Sequence, residues 1–283
     1  MHENLFLRIL TDCRRTRTAA AAVNILNHLT MRAVVHAAVL AKRPLILQPS
    51  TATVRRFGVR AFAEMAAPFR ANAGVPIALH LDHCRDAQLA MDCVDAGWDS
   101  VMVDYSALPY EENADQTRQI VRYAHERGVA VEGEIGRIAG VEDDISNDAE
   151  LFASFDDTIR FLSDTGVDAI APAIGTMHGL YTAEPKLNYD LVRRLSDADA
   201  LVVVHGGTGL PEADFRRLID CGAVKCNVST ALKHAYLDTA REALTRERLS
   251  PLEFDQLVED ACAAKLGAYI RLFGNEEVSL DAC

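Results

Sequence analysis

The run Ile77-Ala-Leu-His-Leu-Asp-His83 is mostly apolar and ends with an aspartate and a histidine side by side. A buried strand needs neither residue, so the pair sets an imidazole able to ligate a metal beside a carboxyl able to move a proton. Two more histidines follow comparable runs: His205 closes Leu201-Val-Val-Val, and His178 comes shortly after Ala169-Ile-Ala-Pro-Ala-Ile-Gly175. Three neutral imidazoles, His83, His178 and His205, leave a fourth position open, the ligand set of a catalytic zinc ion with Zn–N near ~2.0–2.1 Å. The competing reading has each histidine capping a strand or bonding within the core; it accounts for one of them more easily than for three in matching places. His80 lies two residues before Asp82, so strand alternation puts both on one side, where His80 lines an interior or bonds a neighbour.

Glycines stand where a phosphate would need bare backbone. Gly179 follows His178, Gly206-Gly207-Thr208-Gly209 follows His205, and Asn227-Val-Ser-Thr230 opens a helix. Backbone N–H groups beside a helix N-terminus form the common phosphate site of α/β barrels. Ordinary turn glycines and an N-cap are the alternative.

These side chains need elements to hold them, and the chain alternates between short apolar runs and helical stretches. A first helix over Met1 to Thr18 precedes strands expected at Ala19–Leu26, Pro44–Ser50, Ile77–Asp82, Ser100–Asp104, Ala130–Gly136, Ala169–Gly175, Leu201–His205 and Ala223–Val228. Helices are expected between them, one of them, Arg60–Ala71, bent or ended early by Pro68, and a helical extension follows at the C-terminus. The polar connection Arg137–Phe155, rich in acids and glycine, is too long for a plain link and is expected to be a mobile lid. Eight βα units predict a single (β/α)8 TIM barrel over residues 1–283, with a doubly wound open sheet as the alternative. The strand ends favour the barrel: Asn24, Ser50, Asp82 with His83, Asp104, Glu134, His178, His205 and Asn227 fall at or near the C-terminal ends of successive strands. A barrel gathers all of them at one mouth, whereas an open sheet gathers only a few.

Composition narrows the classes. A chain of 283 residues with 49% hydrophobic and 25% charged residues can build one large core, and no composition shift marks a second domain. A net charge of -12 without a basic run argues against nucleic acid as a partner. No apolar stretch is long enough to span a membrane. Seven cysteines without CxxC spacing argue against a disulfide framework and fit a reduced, cytoplasmic setting.

The motifs together resemble the class II, zinc-dependent fructose-bisphosphate and tagatose-bisphosphate aldolases. His80-Leu-Asp-His83, Val101-Met-Val-Asp104, Val131-Glu-Gly-Glu-Ile-Gly-Arg137, Gly140-Val-Glu-Asp-Asp144, Gly175-Thr-Met-His-Gly-Leu-Tyr181, Val204-His-Gly-Gly-Thr-Gly209 and Lys225-Cys-Asn-Val-Ser-Thr230 carry the resemblance in order. Val141-Glu-Asp-Asp144 and Asn227-Val-Ser-Thr-Ala-Leu-Lys233 are closer to the tagatose-bisphosphate branch. The resemblance implies zinc on His83, His178 and His205, with Glu134 as an alternative or outer ligand and Asp104 at a weak second site. It implies Asp82 at the C4 hydroxyl proton, and Glu142 exchanging the proton of the dihydroxyacetone phosphate carbon. It implies Asn24, Ser50, Gly179, Gly207, Thr208, Asn227, Ser229 and Thr230 around the sugar phosphate, with a sodium or potassium ion nearby and a homodimer or homotetramer as the assembly. The implied reaction is reversible cleavage of a ketose 1,6-bisphosphate to dihydroxyacetone phosphate and an aldehyde such as glyceraldehyde 3-phosphate. The alternatives are the same mechanism on another aldehyde, and a barrel that has lost catalysis. Tyr105-Ser-Ala107, Ser229, Leu29 and the acidic Glu276-Glu277 depart from the family pattern, and these departures bear on the aldehyde half of the site.

Overall fold

Eight short parallel strands close on themselves in sequence order: β1 (Ala20–Val23), β2 (Leu45–Leu47), β3 (Ile77–Cys84), β4 (Ser100–Val103), β5 (Ala130–Ile135), β6 (Ala169–Pro172), β7 (Val202–Val204) and β8 (Ala223–Val228). The computed structural model describes residues 4–142, 145–147, 152–179 and 185–280, and at 139–142, 145–147 and 178 the backbone alone. Closure is made by β8 on β1, with Ala20 opposite Lys225 and Ala22 opposite Asn227. The strands are rich in Val, Ile, Leu and Ala because both of their faces are covered. The expected (β/α)8 barrel is the fold observed, with the extra helix at its start and the helical extension at its end.

The strands separate two cores. Outward-facing residues such as Leu79, Val101, Val131 and Val204 meet the surrounding helices, which bring Phe62, Phe161 and Phe215. Inward-facing Ala20, Ala22, Ile46, Ala78, Ala130 and Ala169 meet Phe6, Ile9, Leu10 and Cys13 of the first helix, Leu5–Thr16. That helix plugs the N-terminal end of the barrel. Asn4 fixes its start by accepting from Leu7 N, and its amide donates to the carbonyls of Asp99 and Gly128 on the turns that lead into β4 and β5. Small alanines on the inner face leave room for the plug, so the polar mouth lies at the opposite end.

Two expectations are corrected. Pro68 neither ends nor divides its helix, which runs from Val59 to Asn72; the break falls earlier, at Gly58, whose φ of 85° ends the preceding helix Thr51–Phe57. The connection after β5 is not bare loop either. Ala139–Glu142 pairs antiparallel with Ile145–Asn147 and parallel with Met177–His178, so the segments after β5 and β6 are tied into a small three-stranded sheet. The last helix, Pro251–Phe273, starts from a capping box of Ser250 with Glu253 and packs on the helices His28–Ala41 and Thr230–Ala243. Among the described residues no helix is long and apolar enough to cross a membrane, and Cys13, Cys84, Cys93, Cys221, Cys226 and Cys262 are all buried free thiols.

Candidate metal and active site

Asp82 and His83 are consecutive, and in a regular strand they would point to opposite faces. The pairing of β3 with β4 slips between Leu81 and Cys84, and His83 takes a φ of 39°, which turns it to the same side as Asp82. Both reach His205, which follows β7: one ligand atom from each of the three lies within 4.8 Å of the others. A second such group is His83, Asp104 and Glu134. All five residues are buried, none more than 4% exposed.

Each of them is fixed by a neighbour. Asp82 accepts from Asn24 Nδ2 through Oδ2 at 2.7 Å, and Gln48 Nε2 donates to Asn24 Oδ1 at 3.3 Å. The other oxygen, Asp82 Oδ1, is buried with no hydrogen-bond partner among the described residues. His83 Nδ1 lies 3.3 Å from Asp104 Oδ2 and 3.7 Å from Glu134 Oε2. Ser106 bridges the two carboxyls, its hydroxyl 2.6 Å from Asp104 Oδ1 and 3.0 Å from Glu134 Oε1. One hydroxyl proton serves two acceptors there, and the carboxyls split accordingly. Burial, and after it Asp104, pushes Glu134 up to about 8. Burial raises Asp104 as well, but bonds from His83 and Ser106 outweigh it and hold that carboxyl well below its ordinary range.

The two imidazoles face each other. His205 Nδ1 is 2.8 Å from His83 Nε2, with the rings perpendicular, and His205 Nε2 is 2.8 Å from Glu132 Oε1. Burial opposes charge on both rings, yet Asp82 and Asp104 hold His83 well above its ordinary range, while His205, next to His83, is driven well below. The pair therefore shares one proton on the line between the rings, with Asp82 Oδ1 and Glu134 Oε2, which have no hydrogen-bond partner among the described residues, close by. A cation placed among imidazole nitrogens and carboxylate oxygens suits the same surroundings, so the residues fit a borderline divalent metal.

Beside this cluster, Gly179, Gly206, Gly207, Thr208, Asn227, Ser229 and Thr230 line a small pocket. Gly206 has a φ of 66°, and a Cβ there would overlap the Met177 carbonyl, so only bare backbone fits. The helix Thr230–Ala243 begins at Ser229 without a side-chain cap bond. Among the described residues Ser229 Oγ and both polar atoms of Asn227 are buried without hydrogen-bond partners, whereas Ala231 N is already used by Thr208 Oγ1 at 3.3 Å. Unmet polar groups at a helix N-terminus suit an anion.

The structure thus brings Asn24, Asp82, His83, Asp104, Glu134 and His205 together, with Gly179, Gly207, Thr208, Asn227, Ser229 and Thr230 beside them. The Ser50 backbone bridges to Asp82, and its hydroxyl accepts from Thr53 N at 3.4 Å and starts the next helix. The side chains of His178 and Glu142 lie outside the described residues; the His178 backbone pairs with Gly140. His80 sits below the site, bonded to Ser100 Oγ at 2.7 Å and stacked on Phe6. The acidic tail points away from it: Glu276 pairs with Arg43, on the turn into β2 at the plugged end. Sequence reasoning missed Glu132, Ser106 and Gln48. Glu132 had a usable signal, since it precedes Glu134 by two residues and so shares its face of β5.

Residues 5–278 match the family model described as fructose-bisphosphate aldolase class-II. A fructose-bisphosphate aldolase of Geobacillus stearothermophilus is 35% identical over 273 residues, spanning 94% of this chain and 95% of that protein. One of Staphylococcus epidermidis is 33% identical over 272 residues, with the same coverage of 94% and 95%. Among solved structures, the YdjI aldolase of Escherichia coli K12 superposes with a TM-score of 0.85 at 30% identity, over 95% of this chain and 96% of that one. A chain from Coccidioides immitis, assigned as a fructose-1,6-bisphosphate aldolase, gives a TM-score of 0.90 at 29% identity, with 97% of each chain covered.

Proposed function

The chain belongs to the class II fructose-bisphosphate aldolase family and is an aldehyde-lyase, and from that premise we propose that it is a zinc enzyme that reversibly cleaves a ketose 1,6-bisphosphate, of fructose or tagatose type, to dihydroxyacetone phosphate and an aldehyde such as glyceraldehyde 3-phosphate. The observation that carries the reading is the facing pair His83 Nε2 and His205 Nδ1, ringed by Asp82, Asp104 and Glu134. In this reading His83, His205 and His178 hold the metal, with Glu134 as an outer or exchanging ligand. When bound, zinc supplies Lewis-acid chemistry: it polarises the ketose carbonyl and stabilises the negative charge left when the C3–C4 bond breaks.

The chain's own residues handle protons and position. Asp82, held through Oδ2 by Asn24, keeps Oδ1 for the C4 hydroxyl proton, which it takes in cleavage and returns in synthesis. Glu142 moves the proton at the dihydroxyacetone phosphate carbon. The bare backbone of Gly179 and Gly207, with Thr208, Asn227, Ser229 and Thr230, binds the ketose phosphate, a sodium or potassium ion completing its charge balance. Lys225 is no Schiff-base candidate, because its ammonium is buried against Glu132 inside the barrel.

Chelation should abolish cleavage, measured by coupling dihydroxyacetone phosphate to glycerol-phosphate dehydrogenase, and zinc or cobalt should restore it. Borohydride with substrate should trap no adduct. Full turnover of metal-stripped protein would sink the reading, and a panel of aldehydes would fix the partner of dihydroxyacetone phosphate.

A further inference from the structure

Beneath the histidines the barrel interior holds charge that the proposed chemistry does not use. Glu132, Lys225 and His80 are each 0% exposed. Lys225 Nζ lies 2.9 Å from Glu132 Oε2 and donates to Oε1 at 3.2 Å. His80 Nε2 stands 3.6 Å from Oε2, its ring packed on Phe6 of the plugging helix. A buried ion pair of this kind adds little stability compared with apolar residues of the same volume, so its presence asks for another purpose.

Its other contact supplies one. Glu132 Oε1, which already accepts from the Lys225 ammonium, is 2.8 Å from His205 Nε2. An ammonium only donates, so Oε1 is an acceptor, and the ring nitrogen that meets it must carry the hydrogen. A neutral imidazole has one N–H, and placing it on Nε2 makes Nδ1 the acceptor atom. Nδ1 is the atom turned to His83.

We infer that Glu132, fixed by Lys225, is a positioning residue that locks His205 in the tautomer with its hydrogen on Nε2 and so presents Nδ1 to the metal position. His83 ligates through the opposite atom, Nε2, because its Nδ1 faces Asp104. The two histidines are thus oriented by carboxylates on different strands, Glu132 from β5 and Asp104 after β4. The inference rests on the metal reading above for its purpose but not for its geometry, which concerns the protein alone.

The test begins with metal-free, 15N-labelled protein and two-bond 1H–15N correlation of the histidine rings, with His205 assigned by its absence from His205→Asn. The expected pattern has hydrogen on Nε2 and an acceptor at Nδ1; hydrogen on Nδ1, or on both nitrogens, overturns the inference. Two charge-balanced double variants carry it to the metal. Glu132→Leu with Lys225→Met removes the acceptor and should weaken zinc binding, read by competition with a chromophoric chelator, by about 10–100-fold, whereas Glu132→Gln with Lys225→Met keeps a carbonyl acceptor and should stay within about threefold of the parent. Parental zinc affinity and an unchanged tautomer in the folded Leu variant would also overturn it. If the Leu variant fails to fold, the ring spectrum of the parent decides alone. A parent that shows the Nε2–H tautomer yet binds no zinc would defeat the metal reading and leave the tautomer assignment standing.

Discussion

The strand-borne and loop-borne halves of the site are built on different terms. Asp82, His83, Asp104, Glu134 and His205 sit on or directly after barrel strands, buried, each held by a second side chain. His178, Glu142 and Gly179 come from outside the barrel, where Ala139–Glu142 makes three backbone pairs with Ile145–Asn147 and two with Met177–His178. The difference is what the chemistry asks for. Charges that hold a cation must be positioned before it arrives, because an unpaired buried charge is costly, whereas groups that meet a substrate must let it in and then close. In the proposed reading the rigid strands position the carboxyls, His83 and His205, while the small outlying sheet carries His178 for the same cation and Glu142 for the substrate.

The comparison breaks most sharply at the boundary between metal and proton chemistry. His83→Ala should lose both zinc and activity. Asp82→Ala should lower turnover by about 10²–10⁴-fold while zinc content stays near the parent's, since Asp82 is assigned to the proton. Metal analysis beside the coupled assay separates them; if Asp82→Ala sheds as much zinc as His83→Ala, its carboxylate is a ligand. On the loop side, Glu142→Ala should slow solvent exchange of the dihydroxyacetone phosphate proton by about 10²-fold or more and leave zinc content and ligand affinity unchanged. Exchange at the parental rate would move the base to Asp82 or Glu134. A smaller effect is expected in the phosphate pocket. Gly207→Ala adds a methyl 2.9 Å from Asn227 O and 3.0 Å from Phe215, which should weaken ligand binding by about 1–3 kcal/mol, or roughly 5- to 150-fold, with zinc retained.

The strand-borne half was also the half that could be read from the sequence. Asp82, His83, Glu134 and His205 end apolar runs where nothing structural asks for them, so alternation and strand ends find them and the barrel with them. Alternation also puts Glu132 on the face of Glu134, but the logic stops at its pairing with Lys225, because a charged residue within an apolar run gives no hint that another strand holds its counter-charge. Gln48 and Ser106 are hidden for a similar reason: Asn24 and Glu134, which they meet, are 24 and 28 residues away, and only the pairing of β1 with β2 and of β4 with β5 brings them together. Ser50 also caps the helix Thr51–Phe57, a use of its hydroxyl that a strand-end serine does not reveal in sequence. Pro68 misled because proline dominated the reading of a helix whose break was set by Gly58.

The mildest test concerns how the strand-borne half behaves without its cation. Glu134, pushed up to about 8 from an ordinary 4.5 by burial and Asp104, binds a proton in the folded protein that the unfolded chain has released. Its contribution is complete below 4.5 and is lost as pH rises through about 8. His83, also held above its ordinary 6.5, acts in the same sense, its contribution fading at higher pH. His80 and His205 act oppositely: burial holds them below 6.5, so they cost stability in acid and nothing above that value. Stability of the metal-free protein should therefore peak near pH 6.5 and decline on the alkaline side, a fall of a few degrees in melting temperature by about 1 kcal/mol or more. Glu134→Gln cannot titrate and keeps a carbonyl for Ser106, so it should flatten the alkaline limb while leaving the acid limb to the histidines. Saturating zinc should flatten it as well, because a cation then does what the proton did. An alkaline limb that survives unchanged in Glu134→Gln would mean that His83 and the buried thiols, pushed up by burial, carry it, and that Glu134 is ionised in the metal-free protein.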